Sequence, residues 1–110
     1  MKDKAEARAR VKGLFNITVT PFKQDGSIDD IAMRENIERV LDLGYDGLLI
    51  GSTYGEFPAM TSEERADLFR FIADAFGHRV PLLLCTAHSN VRVVRELTKL
   101  AINLGPDYAP

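Results

Sequence analysis

Gly51-Ser52-Thr53-Tyr54-Gly55-Glu56 brings two hydroxyl side chains, a phenol, two glycines and a carboxylate together directly after an apolar run. Glycine lets a backbone approach a ligand closely and turn its N–H groups toward it. Ser52 and Thr53 add hydroxyl donors. Such a cluster suits an anion, in particular a carboxylate. A polar turn whose Ser and Thr cap the next helix would look the same, and the stretch alone does not choose. A phosphate loop of the Gly-x-x-x-x-Gly-Lys type is excluded, because no lysine follows Gly55.

A second polar stretch is Thr86-Ala87-His88-Ser89-Asn90. His88 is a candidate base or substrate contact. It reads equally as a solvated side chain beside a capping Ser89. His78 falls at the opposite end of the neighbouring elements and reads as surface. Cys85 is the only cysteine, so no intrachain disulfide is available. It follows Leu82 to Leu84 and reads as a small core residue rather than a nucleophile.

These stretches need elements to position them. Three apolar runs, Leu14 to Thr20, Gly47 to Gly51 and Pro81 to Thr86, have the little-alternating Leu/Ile/Val character of strands buried on both faces. A helical period follows each. Met33, Ile37, Val40 and Leu41 share one face of a helix expected from about Asp29 to Leu43. Thr61 with Glu64 three residues on forms a capping box. Leu68, Ile72, Ala75 and Phe76 make that helix's inner face. A third helix is expected from near Ser89, with Val93, Leu97, Ala101 and Leu104 inward. Gly44, Gly77 and Gly105 then end the three helices in the left-handed conformation. The order strand–helix, three times over, implies an α/β fold with a parallel sheet and right-handed crossovers. An open doubly wound sheet and a (β/α)8 barrel both fit it. In either one, sites form at the carboxyl ends of the strands. That rule selects the loops holding Pro21, Ser52 to Glu56 and His88.

Composition excludes some classes of function. Net charge is −2, too small to draw the chain to nucleic acid or an anionic membrane. No apolar stretch nears the roughly 18 residues of a membrane span. Met1 to Arg10 alternates basic and acidic residues, unlike a secretory signal, and reads as a charged tail or a short leading helix.

The segment Gly47 to Phe57, followed by Glu64, resembles the signature of the dihydrodipicolinate synthase / N-acetylneuraminate lyase family. That signature is an apolar strand, then Gly-[Ser/Thr]-Thr-Gly-Glu, then an acidic residue. Ser52 stands at its first glycine, Thr53 and Tyr54 at its two hydroxyl positions, and Gly55-Glu56 match. Thr20-Pro21-Phe22 with Asp25-Gly26-Ser27-Ile28-Asp29 resembles the family's opening. Leu43-Gly44-Tyr45-Asp46-Gly47, Thr61-Ser62-Glu63-Glu64-Arg65 and Val80-Pro81-Leu82 resemble its later landmarks, and the likeness runs from about residue 13 to 110.

The resemblance implies the N-terminal three βα units of a (β/α)8 TIM barrel, incomplete in this chain. Residues 1–12 would be a charged tail, and 13–110 a partial barrel domain ending in the start of a fourth strand. Family members join a lysine to an α-keto acid, usually pyruvate, as a Schiff base, and then make or break a carbon–carbon bond or dehydrate a sugar acid. The loop would grip the keto-acid carboxylate through the Thr53 hydroxyl and the Tyr54 N–H, with Ser52 and Gly55 completing it. Thr53 would also be a proton relay, Glu56 would hold the loop, and Pro21 and His88 would be rim contacts. Tyr54 in place of a threonine resembles the hydratase-aldolase branch, which argues for a hydratase-aldolase or sugar-acid dehydratase rather than the synthase itself. The Schiff-base lysine and the catalytic tyrosine belong to later strands. Lys2, Lys4, Lys12 and Lys99 lie off the rim, and Lys23 sits in an exposed turn without the burial a reactive amine needs. The family implies no cofactor or metal, a cytoplasmic enzyme and a homotetramer at full length. Standing alone, such a chain should be a marginal or aggregating monomer with open sheet edges. The competing expectation is a self-contained small α/β binding domain.

Overall fold

The computed structural model describes residues 3–105. Strands β1 (Phe15–Ile17), β2 (Gly47–Ile50) and β3 (Leu82–Leu84) form one parallel sheet in the order β1-β2-β3. Ile17 pairs with Leu49, and Leu49 with Leu83. The ladders are shorter than the apolar runs, but pairing continues beyond them. Thr18 N–H donates to Leu49 O at 3.1 Å, and Cys85 N–H to Ile50 O at 2.9 Å.

Four helices accompany the sheet: α1 (Lys4–Arg10), α2 (Asp30–Asp42), α3 (Ser62–Phe76) and α4 (Val91–Leu104). Strand order that advances without reversal, linked by right-handed crossovers, puts α2, α3 and α4 on one face. A doubly wound sheet would reverse its order and carry helices on both faces. The core has the one-sided form. Met33 and Ile37 of α2, Phe69 and Ile72 of α3 and Leu97 of α4 join Leu48, Ile50, Leu82 and Leu84 in a single buried cluster. Side chains alternate along a strand, so the odd-numbered residues Phe15, Ile17, Val19, Leu49, Leu83 and Cys85 point to the other, uncovered face. Ile17 is 44% and Val19 56% exposed, whereas Leu48 and Ile50 are fully buried. Cys85 is half-buried on this open side, not in the core as its apolar neighbours imply.

Local chemistry fixes the boundaries. The Asp29 carboxylate caps α2 by accepting from Ala32 N–H at 3.0 Å. The capping box of α3 is formed, with Glu64 N–H on Thr61 Oγ1 and Thr61 N–H on Glu64 Oε1. The α4 cap is Asn90 rather than Ser89, its side chain accepting from Arg92 N–H. Gly44 and Gly105 are left-handed as expected, but Gly77 is right-handed. A Cβ at Gly77 would collide with Ala73 O, so close packing accounts for that glycine. Asp46 ties the β1 entry to β2: its carboxylate accepts from Leu14 N–H at 2.8 Å, and its own N–H donates to Leu14 O at 2.8 Å.

Residues 4–10 of the expected charged tail are helical, with Asp3 accepting from Ala5 and Glu6 N–H groups. Asp3 satisfies two of the N–H groups a helix start leaves free. No residue of α1 is buried, so the helix rests on its caps rather than on the core. The expected start of a fourth strand at residues 107–110 lies outside the described residues.

Candidate active site

Three loops leave the carboxyl ends of three parallel strands, so Thr20–Phe22, Ser52–Glu56 and Thr86–Asn90 share one rim of the sheet. The middle loop packs closely on the end of β1. A Cβ on Gly55 would lie 3.1 Å from Thr18 O and 3.3 Å from Ser52 N, a tight fit against backbone that favours glycine where the loop folds onto the end of β1. Gly51, at φ 71°, turns the chain out of β2 against the Phe69 ring.

The loop's own bonds close its base and leave its tip open. Glu56 N–H donates to Thr53 O at 3.0 Å and Phe57 N–H to Ser52 O at 3.3 Å. The N–H groups of Thr53, Tyr54 and Gly55 donate to no acceptor among the described residues. Thr53 and Tyr54 are exposed, and Gly55 is buried. Successive unpaired N–H groups in a turn form an anion-binding concavity. Glu56 is left-handed at φ 63°, a conformation that disfavours a non-glycine residue. It shapes the loop through its backbone: its N–H bonds Thr53 O, and its carbonyl accepts from Ala59 N–H in the 3₁₀ turn Phe57–Ala59.

Ser52 is buried at the base of the loop. It is 8% exposed, and its hydroxyl has no partner among the described residues. Thr18, Thr20 and Thr86 are buried on the same side by alternation, and Thr98 of α4 donates to Thr86 Oγ1 at 3.1 Å. A row of buried hydroxyls at the strand ends is hidden in the sequence, because each reads as a polar loop residue.

Pro21 lines a cleft of about 420 Å³ with Val19 and with Ala32, Glu35, Asn36 and Arg39 of α2. That lining does not include residues 52–55. His88 is exposed, and its Nδ1 accepts from Asn90 N–H at 2.8 Å, a local turn bond. So both share the rim, but among the described residues neither is hydrogen-bonded to the Ser52–Glu56 loop. His78 is exposed, as expected. Among the described residues no helix is long and apolar enough to cross a membrane, and no cluster of His, Cys, Asp or Glu is placed to hold a metal.

Arg65 is the residue the sequence hides most completely. It is 1% exposed on the first turns of α3. Its Nη1 donates to Ala87 O at 2.7 Å and its Nη2 to Cys85 O at 2.8 Å, while its guanidinium lies 4.6 Å from the Phe57 ring centre. Burial holds its pKa below the ordinary arginine value, with Cys85 acting the other way.

A parallel sheet with helices on one face and its polar loops on one rim is a segment of an α/β barrel. A family model described as the dihydrodipicolinate synthetase family matches residues 10–109, and the chain belongs to that family. It is 41% identical over 96 residues to a 4-hydroxy-tetrahydrodipicolinate synthase of Maridesulfovibrio salexigens, covering 87% of this chain and 32% of the relative. An uncharacterised DapA-like lyase of Thermococcus kodakarensis is 40% identical, with 90% and 34% covered. Among solved structures, the Escherichia coli K12 prophage protein YagE, in complex with pyruvate, superposes with a TM-score of 0.85 at 32% identity, with 90% and 33% covered. An N-acetylneuraminate lyase from Mycoplasma synoviae gives 0.85 at 31%, with 91% and 35% covered. The chain thus spans about a third of the length of these relatives. The family includes synthases and lyases, so this is a segment of a lyase/aldolase-type barrel. The inference from Tyr54 that the chain lies apart from the synthase is not upheld, since relatives at 41% and 36% identity are named as synthases.

Proposed function

We propose that the Ser52–Glu56 loop receives the carboxylate of pyruvate or a related 2-keto acid, as part of a class I lyase or aldolase. The single observation that carries this reading is the set of unpaired N–H groups on Thr53, Tyr54 and Gly55, at the rim of a sheet that belongs to this family. An anion placed there would accept from those N–H groups and from the Thr53 hydroxyl. Thr53, exposed at the loop's tip, would also relay protons to a tyrosine supplied by later strands. Gly55 keeps the loop folded onto β1. Ser52 contributes through its backbone, because its hydroxyl is buried and out of reach of an anion at the exposed tip.

The covalent step needs a lysine from the rest of the barrel. Its amine would attack the keto carbon, water would leave, and the resulting imine would draw electrons from the bond to be broken. Lys4, Lys12, Lys23 and Lys99 are all exposed, and an exposed ammonium is a poor nucleophile at neutral pH. This chemistry uses no added cofactor. The complete enzyme is proposed to be a cytoplasmic homotetramer acting on small molecules.

Pyruvate with borohydride tests this reading. In the complete protein, hydride should reduce the imine and leave one pyruvate-derived adduct on a lysine beyond residue 110. The 110-residue chain alone should take up none. A complete protein that forms no adduct would overturn the lyase reading in favour of a binding domain.

A further inference from the structure

We propose that Arg65 is a positioning residue that sets the geometry of the Ser52–Glu56 loop. The residue is a charge buried almost completely, and no carboxylate pairs with it among the described residues. A buried cation without a counter-ion is expensive to keep. Its cost is offset by two carbonyl acceptors, Cys85 O and Ala87 O, and by the face of Phe57. Those partners are informative. Cys85 and Ala87 belong to the β3 exit, and Phe57 is the first residue after the loop. One guanidinium on α3 therefore joins the loops of two neighbouring strands. Phe57 N–H bonds Ser52 O, so fixing Phe57 fixes the loop's closing bond. The planar fork of arginine reaches both carbonyls while its face stacks on the ring; lysine cannot do both.

Amide hydrogen exchange in the complete protein tests the positioning role without any ligand. In Arg65→Met and Arg65→Lys, the Glu56 and Phe57 amides should exchange at least about tenfold faster, while Ile72 and Phe76 within α3 stay near wild type. Phe57→Leu should give the same local pattern, less strongly, and carries the test if Arg65→Met does not fold. Unchanged exchange at Glu56 and Phe57, uniform acceleration through α3, or wild-type behaviour of Arg65→Lys would each overturn the proposal.

A kinetic arm rests on the keto-acid reading. The KM for pyruvate should rise about tenfold in Arg65→Lys, with kcat changed far less. Wild-type protein that forms no borohydride adduct refutes the keto-acid reading, and loop exchange then decides the role of Arg65 by itself. Adduct formation in wild type with an unchanged KM in Arg65→Lys overturns the positioning role alone.

Discussion

The two faces of the sheet carry similar residues and have opposite environments. Leu48, Ile50, Leu82 and Leu84 are at most 1% exposed beneath α2, α3 and α4, while Ile17 and Val19 on the other face are about half exposed. Leu49 and Leu83, one residue away from buried neighbours, are only half-buried. Both faces are apolar because both are interior surfaces in a closed barrel: one meets helices, the other meets the opposite strands. This chain supplies the helices but not the opposing strands. Little alternation in a strand therefore records the surroundings of the whole barrel, not of this segment alone.

Paired substitutions on the two faces should have unequal effects. In this chain, Phe69→Ala should cost about 3–5 kcal/mol, enough to abolish the urea transition of a marginal monomer, because the ring is fully buried in the core. Ile17→Ser should cost less than about 0.5 kcal/mol there, as an exposed position does. In the complete protein the same Ile17→Ser should become distinctly destabilising. Equal costs for the two variants in this chain would mean that the faces do not differ as described.

A smaller effect concerns charge at the edge of the covered face. Arg79, after α3, holds Glu38 of α2 with both nitrogens, at 2.6 and 3.0 Å. This bond is the main cause that lowers the Glu38 pKa, and it raises that of Arg79. A carboxylate with a depressed folded pKa adds stability above its unfolded pKa and loses it as pH falls through the folded value. The stability advantage of wild type over Glu38→Gln should therefore be present near neutral pH and shrink as acid protonates Glu38. The pair is exposed, so the advantage is small. An advantage that grew on acidification would contradict the pairing.

Most of the fold was legible because its signals are local. Apolar runs, helical periods and the Thr61–Glu64 box are each written in consecutive residues, and the alternating strand–helix order follows from them, while the choice of a barrel over an open sheet rests on the family resemblance. The Gly55-Glu56 turn was equally readable, since a glycine suits a loop that packs this closely on Thr18 O. What escaped depends on tertiary neighbours. A charged residue on the first turns of a helix is normally solvated, so nothing marks Arg65 as buried. Asn90 rather than Ser89 caps α4, and because both are good caps the residue types alone do not choose between them. Pro21 shares its strand end with the site, yet its cleft belongs to α2, a matter of which way the chain turns after β1.

The central claim is that the tip of the Ser52–Glu56 loop is an acceptor site for a keto-acid carboxylate. Backbone amide resonances of the complete protein, followed while pyruvate is added, test it most directly. Shifts should concentrate at Thr53, Tyr54 and Gly55 and saturate together with adduct formation on the lysine. Pyruvate that forms its adduct while leaving those three amides unmoved would contradict it.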